Sequence, residues 1–193
     1  MTQTTFDPRQ VAILHSAMQA FARYGFRKTS MDDIARGAGM SRPALYLHYR
    51  NKEDIYRGLM EFYYDHAAHA IADALEGAGS VAERLAAAFA AQGGEAAELM
   101  ITSPHGREIL DAGFALAGDV VAAGEARLAV VYAVWLAHAA ETGQVRLTGE
   151  PEEIAATITS ALKGIKKTVP DYPSYKTRVA QLAALMGAGL TPR

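Results

Sequence analysis

The segment 44–56 carries several side chains that could do chemistry. It reads ALYLHYRNKEDIY and sets Tyr46, His48 and Tyr49 close to Lys52. Hydroxyl, imidazole and ammonium groups all form hydrogen bonds with phosphate oxygens, and a cation also attracts them electrostatically. Lys52 opens a predicted helix, and the N-terminal end of a helix favours an anion. This combination is typical of a surface that binds a polyanion.

The residues just before Tyr46 have shapes suited to the edges of DNA bases. Arg42 could bind guanine O6 and N7 with two hydrogen bonds, and Ala44 could contact a thymine methyl group. Pro43 adds a rigid apolar surface without an N–H donor. Each residue alone also has an ordinary explanation, because a helical tyrosine often lies at the edge of a core. Their order along the chain favours DNA binding.

Three short helices are predicted around these residues. The first begins near Pro8 and ends before Gly25, with one apolar face formed by Val11, Leu14, Met18 and Phe21.

The second helix has Ser30 as its N-cap, with Asp33 completing a capping box, and ends at the Gly37–Gly39 turn. The third starts after Ser41, with Pro43 in its first turn. Two short helices joined by a tight turn form a helix-turn-helix, whose second helix enters the major groove of DNA.

The segment FARYGFRKTSMDDIARGAGMSRPALYLHYRNKEDIY resembles the DNA-binding domain of the TetR family, the tetracycline-repressor-like transcriptional regulators. The similarity lies in YGF-x-x-TS, in DIA, in AGMS and above all in LYLHYRNKEDIY, and it covers about residues 9–60. Met40 departs mildly from the small β-branched residue common in the family. Beyond residue 60 only the length and the helical character are similar.

This resemblance implies an all-α fold of two domains. Residues 1–50 would be the helix-turn-helix domain and residues 51–193 a helical domain for ligand binding and dimerisation. Leu45 and Leu47 would be structural, with Leu45 packed on the first two helices. Thr29, Tyr46, His48 and Lys52 would hold phosphates, while Arg42, Pro43 and Ala44 would face bases. The whole predicted DNA-binding set is Thr29, Ser30, Ser41, Arg42, Pro43, Ala44, Tyr46, His48, Tyr49 and Lys52.

The rest of the chain is also predicted to be helical. Runs rich in Val, Ile and Thr, which mark strands, are missing from the sequence. A long helix is expected from Lys52 towards Glu76, and Asn51 interrupts the pattern before it. Further helices are expected near 81–101, 104–117, 119–142, 151–168 and 174–187. The first of these is weakened by Gly93 and Gly94. The sequence therefore predicts eight or nine helices and no sheet.

The last two predicted helices carry apolar stripes flanked by small residues. Such stripes suit a four-helix dimer interface, because small residues let helices approach closely. Packing within one subunit would explain the stripes equally well. A two-fold dimer would let one short recognition helix read two half-sites. The interface candidates are Ile154, Ile158, Ala161, Ile165, Val179, Leu182, Ala183 and Met186.

A ligand pocket is expected among large side chains on the central helices. Pockets are mostly apolar with a few placed polar groups. Each candidate alone is more often an ordinary core residue, so only the set is predicted. It comprises Phe62, Tyr63, His66, Phe89, Met100, Phe114, Tyr132, Trp135 and His138.

Charge and composition limit the possible partners. Residues 1–60 contain nine Lys or Arg and five Asp or Glu, whereas the remainder contains ten and sixteen, so a polyanion would be met at one end. The chain has no cysteine and starts without a secretory signal. Its longest apolar stretch, residues 128–140, is shorter than the roughly 20 residues of a membrane span and indicates a buried core helix. A cytoplasmic protein without membrane attachment is expected.

The sequence therefore predicts a non-enzymatic, ligand-responsive regulator of transcription. It would be a homodimeric repressor that binds a palindromic operator in double-stranded DNA and is released by a small molecule, with no cofactor. One alternative is a small-molecule-binding protein without specific DNA binding. The other is an enzyme with a metal centre at the DHAAH sequence, using Asp65, His66, His69 and Asp73, with a further ligand from Glu98, His105 or His138.

Overall fold

The computed structural model describes residues 6–192, apart from the side chain of Phe114. In these residues it has eight helices and no strand, which confirms the all-α prediction. They are α1 Pro8–Tyr24, α2 Met31–Gly37, α3 Arg42–Tyr46, α4 Lys52–Leu75, α5 Val81–Thr102, α6 Gly106–Glu141, α7 Pro151–Thr168 and α8 Tyr172–Leu190.

The helix boundaries follow from local chemistry that the sequence shows in part. Asp7 caps α1 by accepting from the backbone N–H of Arg9 and Gln10, at 2.8 and 2.9 Å. Asn51 accepts from Asp54 N at 2.8 Å at the start of α4, so the residue that interrupts the pattern also begins the next helix. Asp171 caps α8 in the same way through Ser174 N at 2.7 Å.

Two helices contain a break in their backbone. In α5 the break is at Gly94, where φ is 51° and ψ is −160°, a conformation that essentially only glycine adopts. In α6 it is at Ala117, where φ is −139°. The second break falls where two separate helices, 104–117 and 119–142, were predicted.

By their internal contacts the residues form two compact units. Of the described residues, the first unit contains 6–65 and 102–124, and the second contains 66–101 and 125–192. The chain therefore passes from one unit to the other three times: within α4, at the end of α5 and within α6. The division into a helix-turn-helix domain, residues 1–50, and a ligand-binding and dimerisation domain, residues 51–193, stays a prediction.

The first unit is centred on α1, with Ile13, Leu14, Ile34 and Leu45 fully buried. Ser16 Oγ donates to Ile34 O at 2.7 Å and ties α1 to α2. Its later residues, 102–124, supply the first half of α6. Of the predicted apolar face of α1, Leu14 and Phe21 are buried, and Val11 and Met18 are half-buried. Leu45 is buried, as expected for a structural residue.

In the second unit α7 packs against α8, and the second half of α6 supplies core residues. Residues Ala115–Glu141 form a helix long and apolar enough to cross a membrane, by length and composition. Leu128, Tyr132 and Leu136 on this helix are buried in the protein, whereas Val130 and Val134 are 52% and 65% exposed. The stretch predicted to be a buried core helix is therefore buried on one face only.

Candidate nucleic-acid interface

The first helix of the helix-turn-helix is fixed by its capping box. Asp33 N donates to Ser30 Oγ at 3.2 Å, and Ser30 N donates to Asp33 Oδ2 at 3.0 Å. The Ser30 hydroxyl also donates to the same carboxylate oxygen, and this is the main reason that the pKa of Asp33 is lowered. This is the arrangement that the sequence predicted for α2.

The turn after α2 depends on one glycine. Gly39 has a φ of 68°, in the left-handed region, and a Cβ there would meet nothing within 4 Å. Glycine is therefore needed at this position for its backbone conformation. Met40 N donates to Ala35 O at 3.0 Å and closes the turn.

The second helix, α3, is anchored by one side chain and presents the others to solvent. Leu45 is fully buried, while Ser41, Arg42 and Pro43 are exposed and Ala44 is half-buried. Ser41 caps the helix by accepting from Ala44 N at 3.3 Å.

Arg42 and Tyr46 form a pair on the exposed face of α3. The Arg42 guanidinium donates to Tyr46 Oη at 3.3 Å, so the two polar ends are displayed side by side. Leu47 follows them and is 86% exposed. The prediction that Leu47 is structural is wrong, because the residue lies at the C-terminal end of α3 and its side chain points away from the core.

Lys52 is engaged with the protein itself. Its ammonium donates to the carbonyl oxygens of Phe26, Arg27 and Thr29, at 2.8, 3.0 and 3.2 Å. It also lies 4.8 Å from the centroid of the Phe26 ring, a cation–π distance. Its contact with a phosphate stays a prediction. In the structure, Lys52 stabilises the connection between α1 and α2 through these hydrogen bonds.

Thr29 lies within that connection and is only 2% exposed. Its hydroxyl donates to Gly25 O at 2.7 Å and to Ala20 O at 3.2 Å. The hydroxyl thus completes the end of α1, where carbonyl groups lack helical partners. Its role as a phosphate contact also stays a prediction.

Two other predicted contacts differ in exposure. His48 is half-buried, whereas Tyr49 is buried with its ring against Gly58. The Tyr49 hydroxyl has no hydrogen-bond partner among the residues that the structure describes. Burial, followed by the nearby carboxylates of Asp54, Glu61 and Asp7, raises the pKa of Tyr49 to about 12. Tyr46 is therefore the tyrosine that presents its hydroxyl to solvent.

Sequence reasoning missed the attachment of segment 103–109 to the N-terminal helices. Ser103 Oγ donates to Ala22 O at 2.7 Å, and Arg27 N donates to Glu108 Oε1 at 2.9 Å. Tyr56 Oη donates to Ile109 O at 2.7 Å, and burial raises the pKa of this tyrosine. These contacts join residues far apart in the chain, and no local pattern signals them.

Arg57 makes a further contact of this kind. It binds both carboxylate oxygens of Asp119 at 2.7 Å and donates to Leu116 O at 2.9 Å. The Leu116 carbonyl adjoins the break at Ala117, where the regular helical bonds are interrupted. Arg57 therefore provides a hydrogen-bond donor to a carbonyl group at the break in α6.

The predicted ligand-pocket residues are divided between the two units. Phe62 and Tyr63 belong to the first unit, where Phe62 contacts the rings of Phe6 and His15. The Phe114 side chain lies outside the described residues. In the second unit Met100 is half-buried, and His66 and His138 are exposed.

The buried candidates of the second unit gather near the break in α5. The rings of Phe89 and Tyr132 are 5.9 Å apart, and Tyr132 Oη donates to Gln92 Oε1 at 2.9 Å. A Cβ on Gly93 would lie 2.5 Å from Tyr175 Oη. Sequence reasoning missed Gln92 and Tyr175, although the adjacent glycines signalled the break. Trp135 is also buried, and the Arg84 guanidinium lies 5.8 Å from the centroid of its ring.

The residues predicted for the dimer interface fall into two groups by their solvent exposure. Ile158, Val179 and Ala183 are buried within the second unit, so they contribute to its own core. The others are half-buried and reach the surface: Ile154, Ala161, Ile165, Leu182 and Met186. Leu185, which is 73% exposed, adjoins Leu182 and Met186 on α8.

For the alternative of a metal centre, the described residues contain no group of three or more His, Asp or Glu side chains placed to hold a metal ion. His66 and His69, from the DHAAH sequence, are both exposed.

A capped helix, a glycine turn and a second helix with an exposed arginine and tyrosine form a helix-turn-helix motif, which is typical of DNA-binding proteins. Residues 13–59 match the family described as bacterial regulatory proteins, tetR family. YezE of Bacillus subtilis, an uncharacterized HTH-type transcriptional regulator, is 33% identical over 38% of this chain and 38% of its own length. FasR of Mycolicibacterium smegmatis, an HTH-type transcriptional activator, is 32% identical over 44% of this chain and 39% of its own length.

The fold extends the similarity beyond the N-terminal segment. The structure of SmeT, the repressor of the Stenotrophomonas maltophilia multidrug efflux pump SmeDEF, matches with a TM-score of 0.67. It is 18% identical, and the match covers 98% of this chain and 92% of that one. At this identity the likeness shows the fold alone.

The match to the TetR family is therefore shown for the N-terminal segment, residues 13–59. The similarity spans 38% and 39% of the lengths of these two curated relatives. The family that this segment matches consists of DNA-binding transcriptional regulators, in agreement with the prediction of a non-enzymatic protein.

Proposed function

We propose that this protein is a cytoplasmic, ligand-responsive repressor of transcription. It binds a palindromic operator as a homodimer and dissociates when a small molecule binds its second unit. The observation that carries the proposal is the exposed face of α3, where Arg42 and Pro43 stand free of the core and Arg42 pairs with Tyr46.

In this proposal α3 lies in the major groove. Arg42 and Pro43 face base edges together with Ala44, and Tyr46 and His48 contact phosphates. Ser30 and Ser41 lie at helix starts next to the same surface. Three further residues support the helices and do not contact the DNA themselves: Thr29, Tyr49 and Lys52. Their polar groups or rings are engaged in contacts within the protein.

The dimer is proposed to form through α7 and α8. Leu182, Leu185 and Met186 form a surface stripe on α8, and the half-buried Ile154, Ala161 and Ile165 form one on α7. A two-fold axis between subunits would place two copies of α3 on successive turns of the duplex and would make the operator palindromic.

The ligand is proposed to act by a shift of population between two states. It binds near the break in α5, around Gln92 and Tyr132, and favours a state in which the two α3 helices are wrongly spaced. SmeT is named as a repressor and FasR as an activator, so the family alone does not fix the sign of regulation. Repression is proposed because an operator-bound dimer blocks transcription without further contacts.

The test is selection of bound duplexes from a random DNA pool by the purified protein, near physiological salt. A palindromic consensus is expected from the wild type. The Arg42→Ala variant should lose preference at one base position of each half-site, at a cost of about 1–3 kcal/mol. A wild-type selection without symmetry would contradict the dimeric operator, and an identical consensus from Arg42→Ala would remove Arg42 from base contact.

A further inference from the structure

A cationic cleft lies at the C-terminal end of α1. It has a volume of about 280 Å³, is open to solvent, and is lined by Arg23, Tyr24, Lys28, Asp33 and His105. The Arg23 guanidinium is held 5.3 Å from the centroid of the Tyr24 ring. Two cations and an imidazole therefore line one small surface.

The single carboxylate of the cleft is already engaged. Asp33 accepts hydrogen bonds from Ser30 N at 3.0 Å and from Ser30 Oγ at 2.6 Å, and it forms an ion pair with Arg36. Its charge is thus balanced by a residue outside the cleft. The surface that remains is cationic and suits an anion.

His105 reaches this cleft from the segment between α5 and α6. The chain is held to the N-terminal helices on both sides of it, by the Ser103 bond to Ala22 O and by the Arg27 bond to Glu108. His105 Nδ1 lies 3.6 Å from Glu108 Oε2. The Nε2 edge of the ring is therefore turned away from that carboxylate.

The cleft adjoins the proposed DNA-binding face. Asp33, in the first turn of α2, lines the cleft and accepts a hydrogen bond from Ser30 Oγ at 2.6 Å, and Ser30 belongs to the predicted DNA-binding set. Lys28 directly precedes Thr29 and Ser30 in the chain. A DNA backbone that follows α3 would pass this turn.

We propose that the cleft binds a phosphate of the DNA backbone, with Arg23 and Lys28 supplying charge and His105 a ring nitrogen. A residue from outside the segment that matches the TetR family would then contact DNA directly. The inference rests on the proposed DNA-binding function. Because Ser103 and Glu108 flank His105, a movement of α5 or α6 would withdraw this contact without any movement of α3.

The test measures binding to a random-sequence 30-base-pair duplex by fluorescence anisotropy between about 50 and 200 mM salt, where phosphate contacts set the slope of log K against log[salt]. The double variant Arg23→Gln/Lys28→Gln should shallow this slope by close to two, at about 0.9 per contact. His105→Ala should weaken binding by roughly 3- to 10-fold at 100 mM salt, as expected for one lost contact.

A control comes from the second unit, where Arg178 is exposed. The Arg178→Gln variant should bind like the wild type. Arg23 and Lys28 are exposed, so the double variant keeps the folded state, which circular dichroism verifies. His105→Ala is compared only if its melting temperature matches the wild type.

Three results would overturn the inference in distinguishable ways. A wild type that binds the duplex while the double variant keeps its slope would exclude the cleft and leave the proposed function standing. A wild type without any salt-dependent DNA binding would contradict both the role of the cleft and the proposed DNA-binding function. If calorimetry shows inorganic phosphate binding that the double variant loses while its DNA binding is unchanged, the cleft is a site for a free anion.

Discussion

At the scale of single residues, Lys52 shows how a charged side chain can hold together the helices of the proposed DNA-binding surface. Its ammonium has three donors, and the structure gives it three carbonyl acceptors in the connection between α1 and α2. A sequence pattern identifies the lysine but does not tell whether a phosphate or the backbone receives its hydrogen bonds. That choice depends on the path of residues 26–29, which lie more than twenty positions away.

The Lys52→Met variant should therefore lose stability. Charged hydrogen bonds of this kind contribute about 1.5–3 kcal/mol, and a loss of that size should lower the melting temperature in thermal unfolding. Lys28→Met, at an exposed position of the same connection, is the matched control and should change stability by less than about 0.5 kcal/mol.

The salt dependence of DNA binding separates the two roles of Lys52. Below its melting transition, the Lys52→Met variant should keep the wild-type slope. A slope shallower by about 0.9 would instead show that the ammonium leaves its carbonyls for a phosphate in the complex.

At the scale of helices, short-range signals explain most of what could be predicted. Caps such as Ser30, Ser41 and Asn51 act within three or four residues, so the sequence contains the whole of their mechanism. The exposure of Leu47 could not be read in this way, because an apolar residue at a helix end is compatible with a core or a contact surface. The partners of Arg57 were also unreadable, since Asp119 is distant in the chain.

The Arg57–Asp119 contact predicts a pH dependence of stability. The hydrogen bonds from Arg57 are the main cause that lowers the pKa of Asp119 from 3.8 to about 2. A lowered pKa in the folded state means that the contact stabilises the protein above pH 3.8 and that this contribution is lost as the pH falls towards 2.

The measurement is thermal unfolding of the wild type and of Asp119→Asn from neutral pH to the acid limit of folding. The difference in melting temperature should be constant above about pH 5 and should shrink at lower pH. Asp111→Asn, at another exposed aspartate of α6, should give no such trend. A difference that stays constant down to the acid limit would contradict the role of the Asp119 charge.

Close approach of two helices in the second unit gives another prediction. A Cβ on Gly187 of α8 would lie 2.5 Å from Ala82 Cβ and 2.6 Å from its Cα, and backbone atoms cannot move aside easily. Gly187→Ala should therefore cost about 1–3 kcal/mol of unfolding free energy, as overpacking does. Denaturant titration measures the change.

Gly189, two residues further along the same helix, is the control. A Cβ there would meet nothing within 4 Å. Gly189→Ala should be neutral or stabilising by up to about 1 kcal/mol, because alanine favours a helix over glycine. Equal effects of the two substitutions would mean that helix propensity, and not close packing against α5, decides the outcome.

At the scale of the whole molecule, the proposed function requires two chains. The apolar stripes in the sequence did not decide which surface forms the subunit interface. Ile158, Val179 and Ala183 turned out to face the core of their own unit, which leaves the neighbouring surface of α7 and α8 for a partner. Another exposed apolar surface lies on α6, at Val130 and Val134. Periodicity could not choose between them, because the same spacing produces both an inner and an outer apolar face.

Charge substitutions at the two surfaces test which of them forms the subunit interface. Leu185→Lys should convert the dimer to a monomer in sedimentation equilibrium, because a subunit interface would have to bury the new ammonium without a partner. It should also weaken operator binding strongly while the N-terminal helices stay folded, since one α3 reads only one half-site. Val134→Lys, at a comparably exposed position, should stay dimeric and bind DNA normally. If Val134→Lys is the monomeric variant instead, the subunits meet through α6, and the face that holds the two recognition helices in register is the second half of that helix.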